Sequence, residues 1–189
     1  MGGYALTAIL LVPMALPAAQ YSQGEHPRTF AGARGFGVRS VAGRGGRLIR
    51  VTNLNPEGPG SLREALAARG PRLVVFEVGG VLDLNLKGLV VSEPYLTLAG
   101  QTAPSPGITL IRGGLSIRTH DVLIRHLRVR MGDAGQKKKS GWEPEVGLRG
   151  ADAYNVVLDH CSLSWGIEDI LSVAGAATAA PQSPAQFRS

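Results

Sequence analysis

The chain has 189 residues, a formal net charge of +6, a pI near 10.0, 26 glycines, 12 prolines and only 5% aromatic residues. That length suits one domain with enough chain to bury a sizeable core, and the glycine and proline content predicts frequent turns and argues against a fold of long helices. A single cysteine, Cys161, excludes an internal disulfide, and the basic balance admits a polyanionic partner, nucleic acid or acidic polysaccharide, beside a plain solvated surface.

Residues 1–20 carry no charged side chain, and the apolar run Tyr4–Leu16 ends in Pro17-Ala18-Ala19-Gln20. Residues 1–19 read as a signal peptide, with a short apolar region and a small-residue cleavage site, although no Lys or Arg precedes it. The run is short for a membrane span. Export to an extracellular or periplasmic location is the expectation. Residues 20–46 are polar and rich in glycine, with no GxGxxG or Walker pattern; they predict an extended, turning segment. Arg47–Asn53 reads as the first strand. Gly58 to Pro71 then predicts one helix: Ser61 and Glu64 have capping-box spacing, Leu62, Ala65 and Leu66 follow helical spacing, and Gly70-Pro71 ends it.

Beyond Pro71 the period changes to short strands punctuated by Gly and Pro, with no helices between most of them. A doubly wound α/β sheet is therefore not expected. Three runs align: Leu96-Thr-Leu98-Ala-Gly100, Val122-Leu-Ile124-Arg-His126 and Val156-Val-Leu158-Asp-His160. Each places aliphatics at its first and third positions, and the last two share a fifth-position His. A unit that cannot bury its own apolar face must stack on its neighbours. The inference is an all-β parallel β-helix over residues 20–175, its first coil covered by the helix; a β-sandwich is the alternative. Residues 176–189 are of low complexity and show no strand pattern, which leaves the C-terminal end incomplete.

Alternation along a strand turns His126 and His160 inward, as stacked core histidines rather than metal ligands. A zinc site with Cys161 is the weaker alternative. The same alternation turns Asp159 and Arg125 outward. Glu168 and Asp169 follow shortly after, and three carboxylates on one outer face would repel unless a cation joined them. Oxygen ligands suit Ca²⁺ better than Zn²⁺, against the alternative of a solvated acidic loop. Arg112, Arg118, Arg125, Arg128 and Arg130 read as a basic strip, either for carboxylates or as a solubilising surface. Trp142 and Trp165 suit sugar stacking or packing, and Lys137–Lys139 an exposed loop.

These motifs, taken in order, resemble the pectate lyases of polysaccharide lyase family 1. The matching segments are GFGVRSVAGRGG (35–46), VTNLNPEGPGSLREAL (51–66), RLVVFEVGGVLDL (72–84), LTLAGQTAPSPGITL (96–110), GGLSIRTHDVLIRHLRVRMGD (113–133) and NVVLDHCSLSWGIEDILSV (155–173). The resemblance implies a right-handed parallel β-helix, secreted and monomeric. It also implies Ca²⁺-dependent β-elimination of polygalacturonate, with no nucleic acid partner and no membrane span. It assigns Asp159 and Glu168 as calcium ligands; Asp169 beside them is a third candidate, and Arg125 and Arg128 of the basic strip are the candidate substrate-binding residues. Relatives read W-G-x-D-E-N-L-S where this chain has Glu168-Asp169-Ile170 and Ser172, and D-A-L-S-I where it has Glu145-Val-Gly-Leu-Arg149. The family's catalytic arginine lies downstream of the D-H motif, and no arginine here matches it, so no catalytic residue is assigned. A lyase impaired by truncation, a non-catalytic binder of acidic polysaccharide and an inactive gene fragment are the readings left open.

Overall fold

The aliphatic runs pair in parallel, each with the run one coil before and one coil after it. The computed structural model describes residues 28–34, 36–136, 144–175 and 186–188. The signal peptide expected over 1–19, Lys137–Lys139, Trp142 and most of the 176–189 tail lie outside the described residues. The first elements are β1 (Arg47–Val51) and α1 (Leu62–Ala67). Next come coils of three strands: β2 (Arg72–Phe76), β3 (Gly80–Asp83) and β4 (Leu89–Val91), then β5 (Leu96–Ala99), β6 (Ile108–Ile111) and β7 (Leu115–Ile117). These are followed by β8 (Val122–Arg125), β9 (Leu127–Arg130) and β10 (Val146–Arg149), and by β11 (Val156–Asp159), β12 (Ser162–Ser164) and β13 (Leu171–Ala174). The result is a right-handed parallel β-helix with three sheets, in the orders β1-β2-β5-β8-β11, β3-β6-β9-β12 and β4-β7-β10-β13. The tail, read as lacking a strand, contributes β14 (Gln186–Arg188), which pairs in parallel with β11 at the end of the first sheet.

The register expected from the three aligned runs is the register observed. Leu96 pairs with Val122 and Val122 with Val156, while Leu98 pairs with Ile124 and Ile124 with Leu158. All six are buried, and the same alternation fills the core from the other sheets, with Leu110 and Val129 from one and Ile117 and Leu148 from the other. Apolar side chains on successive coils thus stack on one another, and removal of that area from water is what stabilises a coil that cannot fold alone.

The helix does cap the first coil. Ser61 Oγ accepts a hydrogen bond from the Glu64 backbone N–H at 3.3 Å, and Glu64 Oε2 accepts from the Gly60 N–H at 2.7 Å. This is a capping box displaced by one residue. Leu62, Ala65 and Leu66 are buried in the core, and α1 packs on β1 and β4, the edge strands of two sheets. Towards the other end Val173 stacks in register on Leu148 yet is 58% exposed.

Residues 28–34 and 36–46 do more than extend and turn. They contain a 3-10 helix, Phe36–Arg39, and they lie on the outer face of the first sheet, where Phe30 and Ala42 pack against Leu123 and Val157. Close approach requires glycine here: a Cβ on Gly43 would lie 1.9 Å from the Arg72 carbonyl oxygen, and one on Gly37 2.8 Å from Val157. Among the described residues no helix is long and apolar enough to cross a membrane.

Candidate functional site

The expected acidic and basic residues divide between faces of the β-helix. Asp159 lies on the outward side of β11, as alternation requires, but it is fully buried. Its outer face is the one occupied by residues 28–46, which a strand pattern cannot reveal. Arg125 Nε donates to Asp159 Oδ2 at 2.7 Å, and His160 Nδ1 lies 2.9 Å from Oδ1, an ion-pair distance without hydrogen-bond alignment. Burial pushes the Asp159 carboxyl up, but His160 and Arg125 outweigh it, so the net shift is below the ordinary range. The Asp159 carboxylate, expected beside Glu168 and Asp169, is held instead between these two partners.

The histidines point the other way from expectation. His126 and His160 each have φ of 53°. A left-handed residue at the strand end breaks the two-residue alternation, and both side chains turn out to the surface. They do stack, with ring centroids 4.9 Å apart and planes inclined by 15°. Burial, and then the neighbouring His160 and Arg125, hold the His126 imidazole below its usual value. Cys161 packs against the core, and burial raises its thiol, which disfavours the thiolate a zinc site needs.

The arginine strip also separates. Arg125 lies 4.7 Å over the Phe30 ring on the first sheet. Arg128 is on the second sheet, bonded to Thr109 Oγ1 at 2.9 Å and to the Pro106 carbonyl. Arg130 bonds Ser162 on the same sheet, and Arg112 makes a bidentate pair with Asp83. Only Arg118 belongs to the third sheet.

That third sheet carries the cleft. Its outer face presents the rows Gly88-Gly114-Glu145, Val90-Ser116-Gly147-Ser172 and Arg118-Arg149, read from the paired registers of β4, β7, β10 and β13. Gly88, Gly114 and Gly147 lie on this face beside the exposed Val90, and a Cβ on Gly114 would lie 2.1 Å from the Glu145 carbonyl oxygen. Over it runs a groove of ≈ 560 Å³, lined by Val90, Ser116, Arg118, Glu145 and Arg149 among others. It continues into a recess of ≈ 80 Å³ where Glu168 and Asp169 join Glu145 and Arg149. Glu145 is ion-paired with Arg149 and accepts from the Ser172 hydroxyl. Arg118 Nε donates to Ser116 Oγ at 3.2 Å.

The structure therefore brings Glu168 and Asp169 together with Glu145, and leaves Asp159, Arg125 and Arg128 on other faces. Among the described residues no group of three His, Cys, Asp or Glu side chains is gathered closely enough to hold a metal ion. Arg149, Ser116 and the pairing of Arg118 with Arg149 were missed from the sequence. The signal was present: LVVS, LSIR and VGLR align as a column of their own, with both arginines at its last position.

No family model matches the chain. It is 44% identical over 149 residues to a protein of Emericella nidulans named "Probable pectate lyase C", an alignment covering 78% of this chain and 33% of that protein. It is 39% identical over 171 residues to a protein of the same name from Aspergillus fumigatus, covering 89% of this chain and 39% of the relative. Among solved structures it is similar to Jun a 1, the major allergen from cedar pollen, with a TM-score of 0.55, 26% identity, and coverage of 75% of this chain and 44% of the other. The chain spans about a third of the length of the curated relatives it matches. In sequence the chain is similar to proteins named probable pectate lyase over most of its own length, and in fold to the Jun a 1 β-helix.

Proposed function

We propose that the third sheet is a binding surface for a linear polyuronate, polygalacturonate in the first instance, and that the protein acts on it outside the cell, as a monomer, within a pectate-lyase-type β-elimination. The observation that carries this is the Arg118–Arg149 column beside three carboxylates on a flat, glycine-floored groove. A row of guanidinium groups one coil apart, at about 4.8 Å spacing, can take successive carboxylates of one polymer chain in bidentate fashion. Glycine at 114 admits the close approach of the Glu145 backbone, and glycine at 147 leaves room for the Glu145–Arg149 pair that would face the polymer. Ser116 orients Arg118, and Glu145 orients Arg149.

Calcium belongs to the same proposal. The donor type at the recess suits a hard cation, since carboxylates of Glu145, Glu168 and Asp169 line it, although the three are not drawn together as a ligand set. Glu145 already has Arg149 as its counter-ion, so Glu168 and Asp169 would be the principal ligands, and Glu145 would join them only if freed from that pair. Bound there, Ca²⁺ would supply charge withdrawal from a uronate carboxylate, which acidifies the neighbouring C5 proton. In the elimination a base takes that proton and the C4–oxygen bond breaks; none of the described residues is assigned as the base. Binding without cleavage is the second reading, favoured by the Arg149–Glu145 pair, which neutralises part of the site without metal.

Titration of polygalacturonate into the protein by calorimetry, with Ca²⁺ and with a chelator, tests the reading, alongside the ultraviolet absorbance of unsaturated uronides. Tighter binding with Ca²⁺ is expected, together with discrimination against a neutral glucan. Equal affinity for the neutral polymer would overturn it.

A further inference from the structure

A second pocket lies at the corner between the third and first sheets. Its volume is ≈ 490 Å³, and it shares no residue with the groove. One wall is a column of consecutive rungs: Pro71, Tyr95, Asp121 and Asn155 immediately precede Arg72, Leu96, Val122 and Val156, which pair in register. Three intervals at about 4.8 Å make the column roughly 14 Å long. Tyr95, Asp121 and Asn155 all have left-handed backbones, with φ of 60°, 54° and 51°. Non-glycine residues occupy that region at a cost; here it places all three at the pocket wall. The opposite wall is the segment packed on the first sheet, including Val41, Ala42, Arg39 and Arg44.

The chemistry of the wall is graded. Asp121 is spent: Oδ1 accepts from the Val41 N–H at 3.1 Å and Oδ2 lies 2.8 Å from His120 Nδ1. Arg44 Nη2 donates to the carbonyls of Arg28 and Thr29, which fixes the guanidinium and leaves its other donors available. Arg39, the Tyr95 hydroxyl and the Asn155 amide have no hydrogen-bond partner among the described residues. Tyr95 is braced edge-on by His120 at 5.3 Å, and His120 in turn stacks on Tyr154 at 4.7 Å. Two cations, a braced aromatic ring, an amide and a short apolar lining form a site for an acidic sugar: charge for the carboxylate, a ring face for the pyranose, polar ends for hydroxyls.

We propose that this pocket is an accessory site for a short acidic oligosaccharide, with Arg39 and Arg44 on its carboxylates and Tyr95 and Asn155 on its rings and hydroxyls. The choice of a uronate ligand rests on the reading of the groove. The two sites flank one corner: Arg118 lines the groove and Asp121 the pocket, three residues later. A long polymer held in the groove can thus be gripped again around the corner.

The test is an amide NMR titration of the full chain with trigalacturonate, in which each site reports separately. Saturable shifts at Val41, Ala42, Tyr95 and Asn155 are expected. Arg39→Glu should weaken them about tenfold or more while shifts at Ser116 and Gly147 keep their midpoint. Arg39 is exposed and makes no side-chain hydrogen bond among the described residues, so the variant should fold; an unchanged spectrum elsewhere verifies this. Absence of shifts at Tyr95 and Asn155, or shifts indifferent to Arg39→Glu, would overturn the accessory site. Shifts at Tyr95 and Asn155 without any at Ser116 and Gly147 would support the pocket and sink the groove.

Discussion

Arg72 is the residue whose replacement should cost this fold most. It opens β2 and is fully buried, and it forms no ion pair among the described residues. Nη1 donates to the carbonyls of Gly70 and Pro94 at 3.2 and 2.8 Å, and Nη2 to those of Leu66 and Glu93 at 2.9 and 3.0 Å. One side chain thus ties the last turn of α1 to the corners of the first two coils. Burial lowers its pKa, with Glu93 opposing and Arg47 adding to the effect. Hydrogen bonds to a charged donor contribute about 1.5–3 kcal/mol each, so four of them set a gross loss of roughly 6–12 kcal/mol. Removing a buried cation also returns several kcal/mol of desolvation. The difference leaves Arg72→Met destabilised by about 3–5 kcal/mol, a large fraction of the 5–15 kcal/mol typical of a domain. Arg72→Lys keeps the charge with fewer donors in a different geometry, and should fall between. Urea unfolding followed by circular dichroism measures both. A loss below about 1 kcal/mol for Arg72→Met, or a gain, would show that desolvation outweighs the carbonyl contacts and refute the reasoning.

Gly114→Ala should destabilise by about 1–3 kcal/mol, because its Cβ would sit 2.1 Å from a backbone oxygen; an unfolding midpoint equal to wild type would show that the floor yields easily. Stability should also depend on pH in two windows. Asp159 has a lowered folded pKa, so its contribution is present above the unfolded carboxyl value near 3.8 and lost as pH falls through the folded value. His126 is also lowered, so the unfolded chain binds the extra proton and stability rises as pH climbs towards about 6.5. Asp159→Asn should flatten the first slope and His126→Gln the second; slopes that survive both variants would contradict the assignment. For calcium, Arg149→Ala should tighten binding roughly tenfold by releasing Glu145, and Glu168→Gln with Asp169→Asn should abolish it in calorimetry. Indifference to the latter pair would remove the recess as the ion's site.

The stacking register was legible because the three aligned runs all belong to the first sheet, where corner residues repeat visibly as Gly100, His126 and His160. The helix cap was legible from Ser61 and Glu64, since a cap is local chemistry. The site was harder to read. Alternation gives the face of a strand but not what covers it, so Asp159 and Arg125 read as outward and open. In fact Phe30 and Ala42 lie on that face. Alternation also fails at a left-handed residue, which is why His126 and His160 emerged on the surface. Assigning arginines to one strip ignored that the chain turns a corner between one strand and the next. Arg118 and Arg125 are seven residues apart in sequence but on different sheets, whereas Arg118 and Arg149 are neighbours across a coil.

The central claim is that the polymer is read by the third sheet. The most direct measurement is the dissociation constant for polygalacturonate, in the presence of a chelator, of wild type, Arg118→Ala with Arg149→Ala, and Arg125→Ala with Arg128→Ala. The groove pair should weaken binding at least tenfold, and the pair on the other two sheets should leave it within about twofold. Unchanged binding in the first variant together with loss in the second would contradict the account.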